Sequence, residues 1–143
     1  MRLKDPYFEN ITELGDLSIS FILFETKYSV LFTLTDTASN LYLCVCCDVR
    51  YTQRWIIAPV DKSILRDLLT NKITIRDAFI GYYTDKHRYL VKYKTIASHN
   101  TERVGELTSK AVSIDEIPEE DLPTVGETME AEDDEYADVL AQF

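Results

Sequence analysis

From Asp115 to Phe143 the chain contains no lysine and no arginine. All 15 basic residues lie in residues 1–114 with 13 of the 25 acidic ones, and the other 12 acids fall in residues 115–143. The formal net charge of −10 is thus the sum of a body close to neutrality and a tail of one sign. Four Gly and four Pro are too few for a collagen-like or low-complexity chain. No stretch approaches the ~18 apolar residues that a membrane-spanning helix requires. Met1-Arg2-Leu3-Lys4-Asp5-Pro6 leads into no apolar signal core.

Cysteine is also scarce. Cys44, Cys46 and Cys47 sit within four positions, an odd and clustered set that makes no disulfide framework. Such thiols fit a reducing compartment, so the expected location is the cytoplasm. One C-x-C with His87 and His99 at remote positions lacks the matched ligand pairs of a structural zinc site. Cys44 and Cys46 read better as small apolar residues of a buried strand. No motif brings a Cys–His pair together, and Asp48, Asp61, Asp67, Asp77 and Asp85 are scattered over turns and caps. No catalytic residue, metal or cofactor is assigned, and the chain reads as a non-enzyme.

What is present is a core-forming body. Apolar residues make up 45% of 143 positions, with nine Tyr, six Phe and one Trp. Residues 1–16 read as irregular, anchored by Tyr7 and Phe8. Leu17–Glu25 and Lys27–Asp36 are rich in β-branched and aromatic residues and read as strands. Glu25-Thr26-Lys27 is either a hairpin turn or a bulge in one long strand. Leu41–Arg50 is a nearly continuous apolar run suited to a central strand, and Arg54–Val60 follows, its pairing ended by Pro59. The period then changes to that of a helix over Ser63–Thr70, with Ile64, Leu65, Leu68 and Leu69 on one face. Thr74 and Asp77 form a capping-box-like pair ahead of a second helical turn. Arg88–Ile96 reads as a strand, residues 97–109 as a polar loop, and Lys110–Ile114 as a short edge strand. The expected fold is α+β: a bent antiparallel sheet of five or six strands, able to close into a small barrel, with one or two short helices and an acidic C-terminal tail. Residues 1–114 form the expected domain. Residues 115–143 form the tail, docked in part at 115–126 and otherwise flexible or a short amphipathic helix.

Three segments carry a resemblance. Trp55-Ile56-Ile57-Ala58-Pro59-Val60, Ile75-Arg76-Asp77-Ala78-Phe79 and Glu119-Glu120-Asp121-Leu122-Pro123 resemble a bacterial domain family of unknown function found in small stand-alone proteins. The similarity spans residues 17–127. It implies a family and supplies no functional residue.

Two surfaces are candidate sites. In the tail, the acids Glu132, Asp133, Asp134 and Glu135 precede Tyr136, Val139, Leu140 and Phe143, which fall at i, i+3, i+4 and i+7. Solubility alone does not need apolar residues there, so the pattern fits an arm that folds on another protein with a basic surface. In the body, Lys86, Arg88, Lys92 and Lys94 interleave with aromatics and read as the solvent face of a strand that attracts an anionic partner. The tail is itself a candidate for that partner; with Arg50, Arg54 and Arg103 as further cations nearby in the chain, the surface could also bind nucleic acid when the tail is released. The expected function is protein binding or regulation, of the antitoxin, immunity or defence-accessory type by analogy, acting through the tail or a sheet edge. The alternatives are a nucleic-acid role, by the basic strand or by acidic mimicry, and a small enzyme with an unrecognised site. No membrane partner is expected.

Overall fold

The structure, a computed structural model, describes residues 8–25, 30–48, 52–80, 88–97 and 103–142. Seven strands follow one another as an antiparallel meander: β1 (Phe8–Ile11), β2 (Gly15–Glu25), β3 (Val30–Thr35), β4 (Leu41–Asp48), β5 (Thr52–Pro59), β6 (Arg88–Ala97) and β7 (Arg103–Val112). The sheet bends until its ends meet. Thr12, just after β1, takes a hydrogen bond on its Oγ1–Ser109 Oγ pair at 3.0 Å, and its backbone N–H donates to the Ser109 hydroxyl at 3.0 Å. Among the described residues closure is thus made through side chains rather than by a backbone ladder, which gives a nearly barrel-shaped body.

Strand alternation divides the core into two. On β4, Tyr42, Cys44 and Cys46 face the inside of the bend, with Phe32 and Leu34 from β3 and Trp55 and Ile57 from β5. Phe8 enters this interior and meets Trp55 edge to face at a centroid distance of 5.2 Å. Leu31, Leu43, Ile56 and Ala58 face outward and are covered by helices α1 (Lys62–Leu69) and α2 (Ile75–Ile80). β2 and β3 pair antiparallel along their length, as two separate strands; the turn or bulge read at Glu25-Thr26-Lys27 falls largely outside the described residues.

Local chemistry fixes the helices. The Asp61 carboxylate accepts from the Ile64 N–H at 2.8 Å, so Asp61 caps α1, and Ile64, Leu65, Leu68 and Leu69 are all buried. Asn71 adopts φ 64° and stops the helix. Its N–H donates to the Leu68 carbonyl and the Lys72 N–H to the Asp67 carbonyl, the paired bonds of a Schellman termination. The Thr74 hydroxyl accepts from the Asp77 N–H at 3.0 Å and opens α2.

The strand count is a correction, seven instead of five or six. β1 lies in the segment read as irregular, and β7 replaces most of the polar loop read over 97–109 and extends the short edge strand. Lys110–Ile114 runs past the strand's end, because Ile114–Glu116 turns into a 3-10 helix instead. No helix among the described residues is long and apolar enough to cross a membrane.

Candidate functional site

After β7 the chain folds back over the outer layer. Two 3-10 turns, Ile114–Glu116 and Glu119–Asp121, carry it across the sheet, and Ile117 and Asp121 are buried. The Asp121 side chain, 5% exposed, pairs with Arg54 of β5 at 2.9 Å; the Arg54 side chain is 32% exposed. Arg54, one of the further cations of the basic surface, therefore meets the tail. A second pair joins Arg76 of α2 to Glu119 at 2.7 Å, with the Glu119 side chain 72% exposed. The hydrogen bond from Arg76 holds the Glu119 carboxyl below its ordinary value, and the same bond raises Arg76. Arg76 also donates to the Pro123 carbonyl at 3.1 Å.

Beyond Leu122 the attachment changes character. The Ile75 N–H donates to the Glu127 carbonyl at 2.9 Å. The Asn71 amide donates to the Ala131 carbonyl at 2.8 Å and accepts from the Ala131 N–H at 2.9 Å. The Tyr136 hydroxyl donates to the Leu23 carbonyl at 2.8 Å. Burial, and then the neighbouring Glu135 carboxylate, raise the Tyr136 phenol. Met129, Tyr136, Val139 and Leu140 pack, half-buried, on the outer layer of the core. Helix α3 (Ala137–Leu140) is a single turn within the segment whose spacing predicts an amphipathic helix.

The acidic and apolar halves of the expected arm are thus separated in space. Glu132, Asp133, Asp134 and Glu135 are exposed, whereas Tyr136, Val139 and Leu140 turn towards the body. Phe143 lies outside the described residues. Between the end of α1 and the segment is a cleft of about 500 Å³, with Leu69, Tyr136 and Leu140 among its walls and Glu132–Glu135 on its rim. A smaller cleft of about 210 Å³ lies between Phe24, Leu31 and Val45 of the sheet, Ile75 of α2 and the segment at Leu122–Thr124, with Glu120, Asp121 and Glu127 beside it. Phe24 is 46% exposed there.

The basic-strand surface is only partly described. Arg88 is a correction: it is fully buried, on the outward face of β6 but beneath α2, and its Nε–H donates to the Phe79 carbonyl. That carbonyl lies in the last turn of α2, so Arg88 caps the helix from the strand. Strand alternation placed Arg88 outward correctly but could not show the helix above it. Lys92 stands opposite Arg54 in the β5–β6 ladder and Lys94 opposite Thr52. Lys86 lies outside the described residues, as do Arg50, His87 and His99. Among the described residues no three His, Cys, Asp or Glu side chains gather to hold a metal ion.

The reciprocal Asn71–Ala131 bonds and the Arg76–Glu119 pair escaped the sequence reading. Their only signal is that Asn71 ends a helix, which draws attention to its backbone rather than its amide. Compared with protein-family models, with curated proteins and with solved structures, the chain has no match in any of the three.

Proposed function

We propose that this chain is a non-enzymatic binding module that docks a protein with a basic surface on the acidic rim of its C-terminal segment. The observation that carries this is the larger cleft. Its walls are apolar at Leu69, Tyr136 and Leu140, while Glu132, Asp133 and Asp134 on the rim pair with no base among the described residues. The end of α1 opens into the same cleft and adds the partial negative charge of a helix C-terminus. An apolar wall under an acidic rim suits a lysine or arginine side chain, whose stem covers carbon and whose head meets carboxylate. A role as a regulator that neutralises or restrains its partner, of the antitoxin or immunity type, fits a module whose recognition is mainly electrostatic and fast.

The test uses two synthetic peptides of equal positive charge, one of lysine alone and one alternating lysine with leucine. Titration of the full chain should show tighter binding of the leucine-containing peptide and a fall in affinity as salt rises. A variant with E132Q, D133N, D134N and E135Q should lose most of that binding. Equal binding by the variant, or no preference between the peptides, would refute the reading.

A further inference from the structure

We infer that residues 123–142 form a strap that opens as its own unit, and that the apolar groups which close it are those a basic partner takes over. This rests on the docking reading above for the partner, though the opening itself does not. Tyr136, Val139 and Leu140 are the anchors that the spacing assigns to a partner, and all three are packed on the chain's own outer layer. They cannot serve both surfaces at once. The larger cleft is walled in part by the closed strap and receives the first basic side chain; binding through all three anchors then requires the strap to lift.

The burial profile shows where lifting begins. Ile117 and Asp121 are buried and hold the first part of the segment, but no residue from Pro123 to Gln142 is buried. Attachment there comes from half-buried side chains and from the bonds at Pro123, Glu127, Ala131 and Tyr136. Segments with little buried surface and few tertiary hydrogen bonds open below the free energy of global unfolding. Two features act against closure. The strap carries seven carboxylates and no base, so it repels itself. Glu130 at φ 51° and Asp134 at φ 63° hold left-handed backbone without being glycine. Leu122 and the Arg54–Asp121 pair mark the hinge, since the well-held part ends there.

Opening uncovers the Leu23 carbonyl, the amide of Ile75 and the apolar wall at Leu69, all on the body. A closed strap lowers the apparent affinity for a partner by the fraction of molecules that are open. Loosening the strap from the body side should therefore raise affinity, even though the change is made at Asn71, which lines the larger cleft.

Asn71→Gly provides that change. Glycine keeps the left-handed termination of α1 while removing both bonds to Ala131. Hydrogen exchange on the full chain, read at the Ile75 and Leu140 amides, should show local opening. These amides should exchange well ahead of Cys44 and Ile57 in the central strands. N71G should speed both by roughly tenfold or more, as expected for two hydrogen bonds of ordinary net strength. Its affinity for the lysine–leucine peptide should rise by the same factor, and saturating peptide should deprotect the Ile75 amide. Exchange at Ile75 and Leu140 that coincides with the central strands overturns the inference. So does peptide binding that leaves the Ile75 amide protected, or that N71G leaves unchanged while exchange accelerates. If neither protein binds the peptide but both open locally, the opening stands and the docking reading fails.

Discussion

Replacing Asp121 by Asn and Glu119 by Gln tests two ion pairs on one segment, close in length but unlike in burial. Both pairs tie the C-terminal segment to a body cation, at 2.9 Å for Asp121–Arg54 and 2.7 Å for Glu119–Arg76. Distance alone would favour the second. Burial reverses the order, because Asp121 is 5% exposed and Glu119 72%. Removing one partner from a fully buried pair costs about 3–5 kcal/mol, chiefly because the other charge is left unsolvated. Arg54 is 32% exposed and regains water when Asp121 is neutralised, which discounts the figure to about 2 kcal/mol. The exposed pair should contribute far less, because solvent screens it. For a chain of this length, about 2 kcal/mol lowers Tm by roughly 6–8 °C.

Urea denaturation followed by Trp55, the single and buried tryptophan, would read both variants. In D121N the midpoint should fall with an unchanged slope, and the loss should persist at 1 M salt. In E119Q a smaller loss should shrink there, because the screening length at 1 M salt falls to roughly 3 Å. Equal losses in the two variants, or a loss below about 0.5 kcal/mol in D121N, would show that burial of Asp121 does not govern the attachment.

Four further outcomes are expected. Phe8→Ala empties the interior beside Trp55 and should cost about 3–5 kcal/mol with a red shift of Trp55 emission; an unchanged spectrum would place Phe8 elsewhere. Arg88→Met keeps the stem but removes the donor to the Phe79 carbonyl, and should lower stability by about 2 kcal/mol in a thermal melt; a silent substitution would show that α2 needs no cap from β6. Burial acts to raise the Asp36 carboxyl, but hydrogen bonds from Asn40, Tyr42 and Ala38 outweigh it and hold the group below its ordinary 3.8. Its contribution is present above pH 3.8 and lost as pH falls through the lower folded value, so Asp36→Asn should flatten the acid limb of the stability–pH curve, and an unchanged limb would count against it. Added salt should slow exchange at the Leu140 amide by screening the strap's self-repulsion while it weakens the basic peptide; faster exchange would show that charge attraction holds the strap.

Much of the fold was legible because period and capping agree. Ile64, Leu65, Leu68 and Leu69 after Asp61 specify α1 almost completely, and the run from Leu41 could only be an inner strand. β1 was not legible. Its four residues bury Phe8 and Ile11, three apart, because the pairing with β2 shifts register between them. That spacing is wrong for a strand, and Asn10 at φ 53° breaks the extended backbone. β7 failed for another reason. Thr108, Ser109 and Lys110 present little apolar alternation, and the strand exists because the whole of β6 pairs along it. For the candidate site, the acidic rim and the apolar spacing could both be read from residues 132–143. Their destination could not, since Leu23, Asn71 and Ile75 lie far away in sequence and have no feature that marks them as acceptors of a strap.

The charge bias and the attachment of the segment have different physical origins. If acidity were what joins the tail to the body, carboxylates and body cations should be matched along its length. Among the described residues the ion pairs joining segment and body are Arg54–Asp121 and Arg76–Glu119, both before Leu122. Further on, contact is made by carbonyls, an amide side chain, a phenol and aliphatic groups, none of which requires an acidic sequence. Neutral residues at Glu132–Glu135 would leave every one of those bonds to the body in place and would remove a repulsion that opposes closure. The acids therefore cost the closed state something without securing it. Such a cost is reasonable for a segment whose charge is directed outward, at a partner, and whose grip on its own body is made weak enough to be exchanged.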